Sequence, residues 1–259
     1  MPRTTFLYHS SAVGASGSIT LPVQDTMPLQ ASVSSAIGDG FGKARVENFR
    51  HLDYLTIGMM ESHVVTSYSE RDKAYGTLAG SVVEDLNNLN VVTCDRMVNR
   101  LTSKHPKDGS AHGGSYILHG THFDRLKIAG HTIDFELAVG LLSELSTWDK
   151  LNKAYENDPA IRKELNELAM FPAEGDRLPV HHGVFACTLA RLPKKLPRGL
   201  THKDHGIYVP HFGTIYLAEY YVSEYTRRLR MLHVDLGCSV EGCNGYGDTG
   251  GGGAPLPGS

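Results

Sequence analysis

The chain has 259 residues, with 25 Lys and Arg against 28 Asp and Glu, a formal charge of −3 and 41% hydrophobic residues. That length suits one large domain or two small ones, and the near-balanced charge excludes both the basic excess of a nucleic-acid binder and the bias of a disordered tail. With a mean hydropathy of −0.23 and no apolar run approaching about 20 residues, a soluble globular chain without a membrane span is expected.

The opening Met1-Pro2-Arg3-Thr4-Thr5-Phe6 carries one cation but no apolar core before a small-residue cleavage site, so no secretory leader is expected. Gly38-Asp39-Gly40-Phe41-Gly42-Lys43 has the look of a phosphate loop. It fails in detail, because Ile37 stands where the first glycine is required and Ala44 where a hydroxyl would bind magnesium. A glycine-rich turn is the plain reading. From Phe41 to His105 β-branched and aromatic residues predict strands over 44–57, 62–68, 77–85 and 89–101. Residues 69–73 form a charged turn and 102–110 an exposed loop. Tyr116-Ile117-Leu118 resumes the strand pattern, and Leu126 and Ile128 with Ile133 read as a hairpin.

The period then changes. From Asp134 onward Ala138, Leu141, Leu142, Leu145 and Trp148 fall at steps of three and four, which predicts an amphipathic helix. Asp158-Pro159 opens a second helix, an N-cap followed by proline at the first helical position, with Ile161, Leu165 and Leu168 on one face. Pro172 and Pro179 end the helical stretch, and strand character returns over 184–192. The loop 194–199 is basic but too short to neutralise many phosphates. Strands over 213–222 and 229–236 close the pattern as an antiparallel pair. The last stretch, 244–259, holds seven glycines and one aliphatic side chain, Leu256, and is expected to stay flexible unless a partner pins it. The predicted fold is mainly β, an antiparallel sandwich or elongated sheet with an α-helical insertion. The body comprises 1–134 and 181–236, the insertion 135–180, and a flexible Cys- and Gly-rich tail 237–259.

Four cysteines occur. Cys94 and Cys187 sit in apolar runs and read as buried thiols. Cys238 and Cys243 have a C-x4-C spacing with glycines between and around them, which fits a short disulfide loop. Histidine is abundant, with 14 residues. His202-Lys203-Asp204-His205, with His211 nearby, resembles the second half of the His-x-His-x-Asp-His motif of metallo-β-lactamase-type hydrolases, although Leu200 replaces the first histidine. His202, Asp204, His205 and His211 are therefore candidate zinc ligands, with Glu219 as a base. His119 and His122 would face opposite sides of a strand and read as structural. No Gly-x-Ser-x-Gly elbow supports a serine hydrolase.

Val91-Val92-Thr93 with Asp95, then Gly120-Thr121-His122-Phe123-x-x-Leu126-x-Ile128-x-Gly130, and Phe212-Gly213-Thr214-Ile215-x-Leu217-x-Glu219, together resemble the bacterial choice-of-anchor P proteins. That resemblance covers about a third of the chain and implies a β-rich, non-catalytic extracellular module with no catalytic residues to carry over.

Two functions follow. The first is a non-enzymatic structural or interaction protein without a cofactor, whose partner is a second copy of itself. Tyr216, Tyr220, Tyr221 and Tyr225 crowd one segment in the manner of a contact surface and are its candidate self-association residues. The second is the metal-dependent hydrolase built on the histidine cluster. The long, regular strands and the incomplete ligand set favour the first.

Overall fold

The computed structural model describes residues 6–36, 40–107, 114–173, 175–237 and 240–255. In chain order β1 (Phe6–Leu21), β2 (Asp25–Gln30) and β3 (Val33–Ala36) come first, followed by four long strands. These are β4 (Gly40–His51), β5 (Leu55–Ser69), β6 (Ala74–Asn88) and β7 (Val92–Pro106). Short strands follow: β8 (Ser115–Leu118), β9 (His122–Asp124), β10 (Lys127–Ile128), β11 (His131–Thr132) and β12 (Glu136–Leu137). Three helices, α1 (Val139–Glu144), α2 (Trp148–Asn157) and α3 (Pro159–Leu168), precede β13 (Val180–His181), β14 (Val184–Thr188) and β15 (Ala190–Arg191). The chain closes with β16 (Thr201–Lys203), β17 (Gly206–Val209), β18 (Gly213–Val222), β19 (Thr226–Gly237) and β20 (Glu241–Pro255).

The fold is mainly β, with antiparallel sheets and short helices, as the strand periodicity predicts. One sheet runs β13-β14-β18-β19-β20-β1-β2, with β3 also on β1 and the β16–β17 hairpin on β18. The other runs β11-β10-β7-β6-β5-β4, with β8 and β9 on β7. The middle strands β1, β19 and β20 lie against β5, β6 and β7. Met60, Val83, Met97, Leu229, Met231 and Tyr246 fill the space between, each at most 1% exposed. Small polar side chains lock the two layers. Asn99 Nδ2 donates to the carbonyls of Leu229 at 2.9 Å and Gly247 at 2.6 Å, while its Oδ1 accepts from the Thr249 hydroxyl at 2.9 Å.

Several strand boundaries differ from the periodic reading. The strand expected over 44–57 turns back at 52–54, where Leu52 takes φ +50°, and so becomes the end of β4 and the start of β5. Leu89 and Asn90, read as the start of a strand, both have positive φ and, with Val91, form the three-residue turn between β6 and β7. Much of the loop expected over 102–110 continues β7 as far as Pro106.

The helical stretch begins at Val139 and breaks at 145–147. There the Thr147 hydroxyl caps α2 by accepting from Lys150 N at 3.1 Å. Asp158 caps α3 as its sequence predicts, its carboxylate accepting from Ala160 N at 2.9 Å and Ile161 N at 3.2 Å. None of these helices is long and apolar enough to cross a membrane.

The expectation of a flexible tail is corrected over 241–255. These residues form β20, paired along its length with β1 on one side and β19 on the other, near the middle of the larger sheet. The glycines there supply main-chain hydrogen bonds, and some occupy positions a side chain cannot. Gly247 has φ +63°, and a Cβ there would meet Met231 Cβ at 3.3 Å; Ala218 on β18 is also left-handed, at φ +52°. The left-handed Ala218 shifts the inward and outward alternation of β18.

Candidate functional site

The outward face of β18, β19 and β20 carries Glu219, His233 and Cys243, and His205 from the β16–β17 turn completes a line of four ionisable side chains. On an unbroken β18, Tyr216 and Tyr220 would share a face. The left-handed Ala218 between them changes the parity, so Tyr216 and Glu219 point outward while Leu217 and Tyr220 enter the core. Register places His233 opposite Tyr216, and Asp235 opposite Cys243, which makes His233 and Cys243 diagonal neighbours.

Glu219, only 4% exposed, is the centre of the line. Its Oε2 accepts from His233 Nδ1 at 3.0 Å, and its Oε1 lies 3.7 Å from His205 Nε2. The other ring nitrogen of His233, Nε2, lies 3.1 Å from Cys243 Sγ. The Tyr216 ring sits between the two imidazoles, with centroids 4.9 Å from His205 and 5.1 Å from His233.

Burial alone would lift the Glu219 carboxyl. The hydrogen bonds from His205 and His233 outweigh it and hold the group down at about 2. Burial likewise opposes charge on His233, but its bonds to Cys243 and Glu219 prevail and push it up to about 9. At neutral pH the site is therefore an imidazolium held between a carboxylate and a sulfur. Beside it Asp248 pairs with Arg228 at 2.6 Å and with Arg230 at 3.4 Å.

The four proposed zinc ligands are only partly gathered. His202, Asp204 and His205 line a cleft of about 450 Å³ together with Glu167 of α3, Thr188 and Arg191. Within it His202 Nε2 bonds the Pro193 carbonyl at 3.0 Å, and His205 turns to Glu219. Asp204, at φ +52°, makes the turn between β16 and β17. His211, at φ +62°, lies between β17 and β18 and is not among the cleft-lining residues. Among the described residues no three His, Cys, Asp or Glu side chains converge as an ion requires.

One member of the tyrosine surface needs correction. Tyr220 is 2% exposed and belongs to the core, because the left-handed Ala218 turns it inward. Tyr216 and Tyr221 are half-buried beside Glu219, and the Tyr225 carbonyl accepts from the Tyr116 hydroxyl at 2.9 Å. Cys94 and Cys187 are 2% and 0% exposed and unpaired, and burial drives the Cys94 thiol up to about 12. Cys238 lies outside the described residues, and with it the expected bridge to Cys243. Cys243 itself is exposed and free.

His233 is the residue that motif reading missed. Its signal was the strand alternation of 229–236 combined with a cysteine on the next strand, which only register could align. A second feature lies in the other sheet. β4 is twelve residues long and pairs with β5 along one edge only; no strand among the described residues pairs with its other edge.

No curated protein and no solved structure matches the chain. Glu219 and His205 fall within the span that a family model covers, and His233 and Cys243 beyond it. That match, over residues 6–223, is to the family described as Domain of unknown function (DUF8256), and the chain belongs to it.

Proposed function

We propose that the protein is a non-enzymatic β-rich interaction module that self-associates by strand addition, β4 of one copy pairing with β4 of another. The unpaired outer edge of β4 carries this reading. Twelve residues make a long edge, and its free amides and carbonyls gain partners when a second strand docks. An antiparallel pair about a two-fold axis uses the same patch on both copies and closes.

Edge strands commonly resist such pairing with unneutralised charge. Here the cations already have partners in their own chain. Lys43 Nζ meets Glu61 at 2.8 Å, Arg45 reaches both Glu47 and Glu61, and Arg50 pairs with Asp53. Phe41, 70% exposed at the start of the edge, adds apolar area to bury.

Light scattering after size exclusion tests this. The expected mass is twice 28.3 kDa, returning to the single-chain value in the Phe41→Lys, Glu47→Lys double variant. A single-chain mass for the unaltered protein at all concentrations overturns it.

A further inference from the structure

We infer that Cys243 is a nucleophilic thiol served by His233 and Glu219, and that the electrophile it takes is a small disulfide. A thiol, an imidazole and a carboxylate stand in hydrogen-bonded order, with Cys243 Sγ 3.1 Å from His233 Nε2 and His233 Nδ1 3.0 Å from Glu219 Oε2. That order, nucleophile to proton carrier to orienting group, is the one that activated nucleophiles share. Glu219 is the positioning residue. It is buried, it fixes the imidazole by Nδ1, and this leaves Nε2 directed at sulfur.

The three groups lie on adjacent strands β18, β19 and β20, so their spacing is set by sheet register and not by a loop. Cys243 is exposed, and the other two described cysteines are buried, so a reagent in solution meets this one.

Disulfide exchange suits this arrangement because it develops no oxyanion. It needs a thiolate, an open approach to sulfur and a proton for the departing sulfur. In the step, the Cys243 thiolate attacks one sulfur of R–S–S–R′ and forms a new S–S bond. The original S–S bond breaks with its electron pair on R′S⁻, which takes the Nε2 proton of the His233 imidazolium and leaves as R′SH. The products are a mixed disulfide on Cys243 and a neutral imidazole, and the small disulfide is the oxidant consumed.

The test uses the full chain carrying Cys238→Ser, treated with oxidised glutathione at about pH 7 and followed by mass spectrometry. One glutathionyl group is expected, on Cys243 and absent in Cys243→Ser. Its rate should exceed that of the His233→Asn chain by at least about tenfold. Because that variant could lose its fold, the same rate is compared with the urea-unfolded chain at the same pH, where Cys243 no longer has His233 beside it. A folded-state rate equal to or below the unfolded per-thiol rate overturns the inference, as does a His233→Asn chain that folds and reacts within about twofold of its parent.

Discussion

Glu219 shows how strongly a single buried carboxylate can depend on its neighbours. Taken out of water alone it would be protonated; with His205 and His233 against it, it stays charged. The linkage has a definite sign on each side. The carboxyl is held near 2 against an ordinary 4.5, so its contribution is present above about 4.5 and is lost as the pH falls through about 2. His233 is raised to about 9 from 6.5, so its contribution is complete below 6.5 and is lost as the pH rises through about 9. Urea unfolding is therefore expected to show greater stability at about pH 5.5 than at about pH 9.5, and His233→Asn should remove most of that difference. Glu219→Gln leaves His233 without its anion and should cost about 3 kcal/mol at neutral pH. A Glu219→Gln chain as stable as the parent would show that the carboxylate is not held by these imidazoles.

At the scale of the element, β20 is the most consequential strand and the least strand-like in composition. A run such as Gly250-Gly251-Gly252-Gly253 loses much chain entropy on ordering and brings no side chains to a core. Two gains offset this. Both its edges are paired, with β1 and with β19, and its narrow backbone lets neighbours close in. A Cβ at Gly252 would meet Thr226 Cγ2 and the Tyr225 carbonyl oxygen, each at 2.8 Å. Ending the chain at Asn244 would remove most of β20 and leave β1 and β19 with bare edges in the middle of the sheet. That truncated chain is expected to lose its cooperative thermal transition by circular dichroism. A transition preserved at the parent's temperature would mean that this segment is dispensable after all.

Across the whole molecule a single apolar cluster joins both sheets and the helices. Leu151, Tyr155, Leu165 and Leu168 of α2 and α3 belong to the same buried group as Met97, Leu229 and Tyr246 between the sheets. Trp148, the only tryptophan, packs on that cluster from the first residue of α2. A shared core makes for one cooperative unit. Tryptophan fluorescence, which reports the helices, and far-ultraviolet circular dichroism, which is dominated by strand, should then give coincident urea transitions. An earlier fluorescence transition would show that the helical insertion melts by itself.

Local chemistry determined part of this protein without help from the fold. Runs of β-branched and aromatic residues marked the body as β, the steps of three and four marked the helices, and Asp158-Pro159 marked the start of α3. The apolar neighbours of Cys94 and Cys187 foretold their burial. These signals are legible because each depends on residues a few positions apart. The fold decided the rest. The pairing of β1 with β20 joins opposite ends of the chain, and nothing in the composition of either segment announces a long central strand. The inward turn of Tyr220 follows from one left-handed residue, Ala218, an alanine with no intrinsic preference for that conformation. The meeting of Glu219, His233 and Cys243 required the registers of three strands at once, and register is set by sheet packing and turns that a linear motif does not encode.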